Sequence, residues 1–372
     1  MSSAITPIIM PKWGLEMREG TVSDWLVDVG TRITVGMPIM DVDTDKLSNS
    51  VEAPDPGLLR RRIAQAGETY LVRALLGVMA ESDVSDAEID AFVEAFEVPV
   101  AGADDEDAGP AYDYAEVEGI RVRYARRGPD EGVPLVLLHG FGGDLGNWLF
   151  NIDALAESFP VITLDLPGHG QSQAKLPAKS VAGLSDFVAK LLDQIGVAKV
   201  HIGGHSMGGA IATQFALTHP KRTASLTLIC SAGLGKEINT GYTDGFIAAT
   251  NKRELKAVVE QLFANPELVT RSLVDDLLKY KRMDGVPEVL EALGHSLFSN
   301  GLQVETPGLE LDANSPPVLV IWGAKDQVIP AQHASNAPAG STVAVIDGAG
   351  HMVMLEKANE VNALIKKHVG SH

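Results

Sequence analysis

Cysteine is almost missing from this chain: Cys230 is the only one in 372 residues. No intrachain disulfide and no thiolate-based zinc site can be built, and a reducing compartment is expected. Long apolar runs are missing as well. Stretches such as Pro134–Leu138 and Pro317–Trp322 are strand-sized, far too short to span a bilayer. Met1 to Trp13 lack a charged region followed by an apolar one, so no signal peptide is read there, and the expected location is the cytoplasm. Basic residues are scarce: 30 Lys/Arg against 49 Asp/Glu leave a net charge of −19. A nucleic-acid binder would need a basic face, so that class is set aside. There is no Walker-type loop and no His-Glu-x-x-His, so nucleotide-triphosphate and metal chemistry are not expected.

The basic deficit is local. Residues 1–80 hold 8 Lys/Arg and 10 Asp/Glu, and residues 117–372 hold 22 and 26. Residues 81–116 hold no Lys/Arg and 13 Asp/Glu. The length exceeds one ordinary domain, and this acidic stretch divides the chain. Pro99 to Tyr114 (PVAGADDEDAGPAYDY) has too little apolar surface to offset its ordering entropy and reads as a linker. Self-repulsion would keep a coil over Val98–Ala115 extended. Within 81–116, Ser85 to Glu97 (SDAEIDAFVEAFE) places Ile89, Phe92, Val93 and Phe96 at helical spacing behind a Ser85–Glu88 capping box. Such a short helix either packs on a neighbouring domain or docks a partner protein.

Residues 1–80 read as short β-runs, among them Thr21–Val27, Pro38–Val42 and Leu71–Met79. Gly20 stands ten residues before Gly30 and Gly57 ten before Gly67, each pair enclosing a strand. Two similar halves predict a small all-β flattened barrel with two-fold pseudosymmetry. The halves meet at the polar turn Asp43-Thr44-Asp45-Lys46-Leu47-Ser48. With Met10-Pro11 and the Gly-spaced strands, the segment DVDTDKLSNS resembles the lipoyl domains of 2-oxo acid dehydrogenase complexes. The resemblance implies that Lys46 carries lipoate in amide linkage. Biotin carriers place methionines on both sides of that lysine; here the neighbours are Asp45 and Leu47. The family's usual Glu three residues before the lysine is Asp43.

From residue 117 onward strands alternate with helices, which predicts a mostly parallel sheet covered on both faces. Buried runs occur at Leu135–Leu138, Val161–Leu164, Val200–Gly203, Leu226–Ile229, Val318–Trp322 and Thr342–Ile346. Gly204-His205-Ser206-Met207-Gly208 follows one of them and precedes a helical run, which is the setting of a nucleophile elbow. Asp326 and His351 each follow a later strand, giving the order Ser, Asp, His. Loops after parallel strands share an edge, so the three are expected together: Ser206 as nucleophile, His351 as general base and acid, Asp326 as the orienting carboxylate. Asp347 competes with Asp326. The oxyanion hole is expected from the backbone of Met207 and of Phe141 in the His139–Gly143 loop. His139, His169 and His205 read as loop-shaping, and Cys230 as core. Between Ala232 and Ser315 the alternation stops, and helical runs at Glu254–Phe263, Pro266–Tyr280 and Val286–Phe298 predict a lid. Lys252, Arg253 and Lys256 open that region as a solvated face or as contacts for a coenzyme A phosphate.

HGFGG, DLPGHGQS, GHSMG, WGAKD and GAGH together resemble the α/β-hydrolase family over 117–372. The His-x-x-x-Asp-Gly motif of the usual dihydrolipoamide acyltransferases is absent, and so is a basic subunit-binding module. A lipoyl domain joined to an α/β-hydrolase domain resembles the dihydrolipoamide acetyltransferase components of bacterial acetoin dehydrogenase complexes. That resemblance implies acetyl transfer from lipoyl-lysine to coenzyme A. It also implies a thiamine-diphosphate-dependent acetoin dehydrogenase and a dihydrolipoamide dehydrogenase as partners, with a homo-oligomeric assembly expected. Two other classes stay open: a carrier-targeted serine hydrolase (thioesterase or esterase), and a lipoyl scaffold with an idle triad.

Overall fold

Two units, Met1–Ala111 and Tyr112–His372, make up the computed structural model, which describes residues 5–13, 17–44, 47–97 and 112–372. In the first unit short alternating runs become eight strands: β1 (Thr6–Ile9), β2 (Glu19–Trp25), β3 (Arg32–Ile33), β4 (Pro38–Asp43), β5 (Ser48–Glu52), β6 (Gly57–Arg62), β7 (Thr69–Leu71) and β8 (Leu75–Met79). They pair antiparallel in two four-stranded sheets, β1-β8-β6-β3 and β5-β4-β2-β7. The repeat explains this topology. Gly20 and Gly57, and likewise Gly30 and Gly67, are 37 residues apart, and both turn glycines have positive φ, +91° and +87°. Under that shift β2 maps to β6, β3 to β7 and β4 to β8, and each sheet takes two strands from each half. Val22, Met40 and Val42 of one sheet and Ile33, Leu59, Leu76 and Met79 of the other close a single core.

The run Leu71–Met79, read from sequence as one strand, is two. The chain changes sheets between β7 and β8, and Arg73 takes a left-handed conformation (φ 69°) to do so. Its N–H donates to the Met10 carbonyl at 2.8 Å, and the Met10 N–H donates to Ala74 at 2.8 Å. At the β4–β5 turn the Leu47 N–H donates to Thr44 Oγ1 (3.0 Å), Thr44 donates back to the Leu47 carbonyl (2.7 Å), and Ser48 bonds Asp43. Asp45 and Lys46 themselves lie outside the described residues. So do 98–111, on which most of the expected extended connector falls.

Helix α1 (Asp86–Ala95) begins at a Ser85–Glu88 capping box: Ser85 Oγ accepts from the Glu88 N–H at 3.3 Å, and the Glu88 carboxylate accepts from the Ser85 N–H at 2.9 Å. Its apolar stripe sits on the carrier unit's own sheet. Ile89 is fully buried with Leu75, Val78 and Val84, and Phe92, Val93 and Phe96 cover them. Arg60 and Arg61 on β6 pair with Asp86 (3.0 Å) and Asp90 (2.6 Å).

In the second unit β9 (Asp113–Val117) and β10 (Ile120–Arg127) form a hairpin whose turn residues Glu118 and Gly119 both have positive φ. The buried runs become β11 (Leu135–Leu138), β12 (Val161–Leu164), β13 (Val200–His205) and β14 (Thr223–Ile229). Helices α2 (Ile152–Ala156), α3 (Val181–Gln194) and α4 (Met207–Thr218) connect them. An insertion follows: α5 (Thr240–Ala248), α6 (Lys252–Val259), α7 (Arg271–Lys281), α8 (Val286–Leu297) and a small hairpin, β15 (Phe298–Ser299) with β16 (Leu302–Gln303). The core resumes with β17 (Val318–Gly323), β18 (Thr342–Ile346), α9 (Val353–Glu356) and α10 (Ala358–Val369). The sheet order is β18-β17-β14-β13-β11-β12-β10-β9, parallel from β18 to β12. The chain runs from β11 to β12 on one side and then crosses to β13 on the other. The loops after β11 and β13 therefore diverge at a topological switch point, where open α/β sheets build their sites.

The inserted helices depart from the expected bounds. Thr270 Oγ1 caps the Leu273 N–H at 3.1 Å, so α7 starts at Arg271, while Pro266–Leu268 forms a separate 3-10 turn. Asn251 caps the Glu254 N–H at 3.1 Å and starts α6 two residues early. Helix α5 has no counterpart in the sequence reading. Among the described residues, no helix is long and apolar enough to cross a membrane.

Candidate functional site

The elbow is built from glycines because nothing else fits. A Cβ on Gly204 would meet the Gly208 backbone at 2.2 Å, and one on Gly208 would meet the Leu138 carbonyl at 2.3 Å. Strand β13 and helix α4 thus turn on Ser206, whose φ of 54° and ψ of −121° a side-chain-bearing residue rarely adopts. The Ser206 N–H donates to the Ile229 carbonyl (3.1 Å) and its carbonyl accepts from Ala232 (3.0 Å), which fixes the strained residue to β14.

Asp326 and His351 are in direct contact. His351 Nδ1 lies 2.8 Å from Asp326 Oδ2, and their side chains are 2% and 0% exposed. The carboxylate is saturated: Trp322 Nε1 donates to Oδ2 (3.1 Å), and the Val328 and Ile329 N–H groups donate to Oδ1 (2.8 and 2.9 Å). A buried acceptor held this way keeps the proton of His351 on Nδ1 and leaves Nε2 as the basic nitrogen. Asp347 is exposed and makes no bond to the imidazole. Ser206 is brought to His351 through its neighbour: His205 Nε2 bonds the His351 carbonyl at 2.9 Å, and the two rings lie 4.6 Å apart. Among the described residues no hydrogen bond joins the Ser206 hydroxyl to the imidazole.

Sequence reading missed two supports. Trp322 is one. The other is Glu356, whose carboxylate accepts from the Gly350 N–H (2.6 Å) and from the Ala264 N–H (2.8 Å), pinning the histidine loop to the insertion. Burial pushes its pKa up. The WGAKD turn carries a signal for Trp322; nothing marks Glu356.

Cys230 is fully buried under the pair, accepts from the Gly323 N–H at 3.4 Å, and has φ 42°. Burial first, and the Asp326 charge second, push its thiol well above the usual range, so it offers no thiolate nucleophile.

Met207 is the first residue of α4. Among the described residues neither its N–H nor that of Phe141 donates to another protein group. The Phe141 ring packs edge-on against Phe246 of α5 (6.1 Å) and Phe298 of β15 (6.0 Å). Gly142 has φ +74°, and a Cβ there would lie 2.5 Å from Phe246, so the insertion presses directly on this loop. Asp165 ties the loop from below, accepting from Leu145 N–H (2.9 Å) and Arg123 Nε (2.7 Å). Lys281 closes the last turn of α5, donating to the Ile247 carbonyl at 3.1 Å; burial brings its pKa down to about 8.

His139 accepts the Leu166 N–H on Nε2 (2.9 Å) and bonds the Gly140 carbonyl through Nδ1 (2.8 Å). His169 packs on it at 5.0 Å and stacks on Tyr280 of α7, whose hydroxyl donates to Gly168 at 2.9 Å. Burial lowers their pKa values to about 4 and about 3. Both are neutral when folded, but the unfolded chain takes up their protons near pH 6.5. Stability is therefore full above about pH 6.5 and falls as the pH drops toward 4. His139 alone accounts for about 3 kcal/mol across that window. Urea midpoints of this unit at pH 7.5 and pH 5 check this: a clear drop at pH 5 is expected, and equal midpoints would contradict it.

Of the three cations at the start of the insertion, Lys252 pairs with Asp275 (2.5 Å) and Lys256 with Glu260 (3.6 Å), which is the pattern of a solvated helix face.

Comparison with known proteins bears on both units. The family model of biotin-requiring enzymes matches residues 6–76, and that of the α/β-hydrolase fold matches 133–358. The chain is 56% identical to the dihydrolipoyllysine-residue acetyltransferase component of the acetoin cleaving system of Cupriavidus necator, covering 100% of this chain and 99% of that one. It is 48% identical to the protein of the same description from Pseudomonas putida, covering 98% and 100%. Among solved structures, a meta-cleavage product hydrolase from Pseudomonas fluorescens superposes with a TM-score of 0.63 at 22% identity, over 70% of this chain and 97% of that one.

Proposed function

The chain belongs to the dihydrolipoyllysine-residue acetyltransferase components of acetoin cleaving systems, and on that footing we propose how its own residues carry the acetyl group from lipoyl-lysine to coenzyme A. It is an acyltransferase of acetoin catabolism made of a lipoyl domain and an α/β-hydrolase-fold domain. Bound lipoate supplies a thioester carrier on a long arm. The carrier's β4–β5 turn fits such a group: Thr44 and Leu47 lock together around Asp45-Lys46, and Leu47 is buried. Lys46, outside the described residues, is the attachment point in this reading.

The observation that carries the chemistry is the wholly buried Asp326 carboxylate on Nδ1 of His351. His351 Nε2 takes the Ser206 proton as Oγ attacks the thioester carbonyl of the acyl donor. The N–H groups of Met207 and Phe141 stabilise the oxyanion. The carbon–sulfur bond breaks, and His351 returns the proton to the departing dihydrolipoyl thiol. The coenzyme A thiol then gives its proton to His351 and attacks the acetyl-serine, which releases acetyl-coenzyme A and restores Ser206.

The partners in this reading are the thiamine-diphosphate-dependent acetoin dehydrogenase that loads the arm and the dihydrolipoamide dehydrogenase that reoxidises it. The assembly is homo-oligomeric and cytoplasmic, as the single buried cysteine accords with a reducing compartment. The N-terminal carrier, the acidic segment and the catalytic domain act as separate parts, with the helices between β14 and β17 as the lid.

Product analysis tests the reading. From S-acetyldihydrolipoamide, acetyl-coenzyme A is expected when coenzyme A is present, and little acetate in either case. Acetate formed at one rate with or without coenzyme A would make the chain a hydrolase. Neither product would make it a scaffold.

A further inference from the structure

Three consecutive residues fix the backbone that carries the catalytic imidazole. The Gly350 N–H donates to Glu356 Oε2 at 2.6 Å, the His351 carbonyl bonds His205 Nε2 at 2.9 Å, and the Met352 N–H donates to the Leu262 carbonyl at 3.0 Å. Asp326 holds the ring at Nδ1. These three bonds hold the main chain from which the ring hangs.

Two of the three anchors lead to the insertion. While Oε2 of Glu356 takes Gly350, its Oε1 accepts from the Ala264 N–H at 2.8 Å and the Asn265 N–H at 3.4 Å. One carboxylate therefore bridges the histidine loop and the connection between α6 and α7, to which Leu262 also belongs. The two stretches meet backbone to backbone: a Cβ on Gly350 would stand 2.6 Å from the Ala264 nitrogen and 2.9 Å from the Leu262 carbonyl oxygen. The same connection is tied to the acid loop, because Asn239 Nδ2 donates to Gln261 Oε1 and to the Gln327 carbonyl, each at 3.0 Å.

The donors explain why a carboxylate stands at 356. Three backbone N–H groups converge on it, and a neutral amide would have to turn its own NH2 toward one of them. Burial raises the pKa of Glu356, and the same N–H groups offset part of that cost. All three partners belong to the main chain, so Glu356 acts on the imidazole through the backbone and not on the reacting atoms.

We infer that Glu356 is a positioning residue: it locks the histidine loop to residues 264 and 265, so that His351 Nε2 is aligned with Ser206 only while the insertion is seated on that loop. The inference rests on the Ser206–His351 chemistry proposed above. It goes beyond that chemistry by giving the insertion a part in setting the general base, besides covering the site. Proton transfer tolerates little misplacement: a shift of about 1 Å can cost about a hundredfold in rate.

Glu356→Gln keeps the size of the side chain and loses one acceptor. In steady-state kinetics of the full chain with free S-acetyldihydrolipoamide, it is expected to lower kcat about tenfold and to leave KM for the donor and for coenzyme A within about twofold. The rate at which a fluorophosphonate labels Ser206 should fall by the same factor, since that reaction needs the imidazole but neither substrate. Gly350→Ala forces the two stretches apart with Glu356 in place, and should lower both rates in the same way. The double variant should be little worse than either single one, because both break one contact. A lower urea midpoint in Glu356→Gln, with kcat and labelling rate per folded chain unchanged, would make the residue merely structural and overturn the inference. So would effects that multiply in the double variant, or a change confined to KM. Should Gly350→Ala fail to fold, the isosteric Glu356→Gln still decides. Absence of labelling at Ser206 in the native chain would defeat the triad itself, a result seen before any variant is compared.

Discussion

Ser206→Ala is expected to lower acetyl-coenzyme A formation from S-acetyldihydrolipoamide by roughly a thousandfold or more. The loss equals about 4 kcal/mol of transition-state stabilisation. The reason lies in the elbow. Its φ of 54° is set by the backbone bonds to Ile229 and Ala232, and alanine leaves those intact. The variant should fold, keep the Asp326–His351 pair and keep the Met207 and Phe141 donors. It would lack only the oxygen. Loading of Lys46 by the first enzyme of the pathway should continue, so acetylated carrier should accumulate. A rapid-quench experiment reads this directly: acetyl on Ser206 in the native chain, none in the variant, and carrier-bound acetyl in both. Unchanged turnover would remove Ser206 from covalent chemistry and leave direct thiol attack on a polarised thioester.

Lys46→Arg should cost the whole pathway its acetyl-coenzyme A while sparing the catalytic domain. Arginine keeps the charge but cannot form the amide to lipoate. With acetoin, coenzyme A and the partner enzymes, output should fall to background. With free S-acetyldihydrolipoamide, turnover should stay near that of the native chain at saturating donor. The gap between the assays separates loss of the carrier from loss of the catalytic site. Intact mass should show the lipoyl increment on the native carrier and its loss in the variant. Acetoin-dependent output that survives the substitution would place the attachment elsewhere.

Much of this was legible in the chain itself, because the decisive signals are local. Gly204, Ser206 and Gly208 stand within one five-residue motif, in which a Cβ on Gly204 would strike the Gly208 backbone, and a buried parallel strand such as Leu135–Leu138 is apolar on both faces. The hidden features depend on distant partners. Arg73 breaks an apolar run because the chain changes sheets there, which only the strand exchange reveals. Helix α5 (TGYTDGFIA) has two glycines and no side-chain cap; Phe246 packed on the Phe141 loop sustains it, not propensity. Glu356 reaches Ala264, ninety-two residues away, and no spacing rule finds it. The proposal of Lys46 as the attachment point rests only on its setting, a hinge between two repeated halves.

The exchange of strands between those halves has a consequence in time. On a ribosome the chain emerges from its N-terminus, yet β1 waits for β8 and β2 waits for β7. The β5-β4-β2-β7 sheet lacks its last strand until Leu71 has emerged and the β1-β8-β6-β3 sheet until Met79, so among the first four strands only β2 and β4 have a native partner already at hand. Once Met79 is out, both sheets can close together, while the residues of the nucleophile elbow are still to be translated. A carrier assembled this way is ready for its attaching enzyme before the transferase exists.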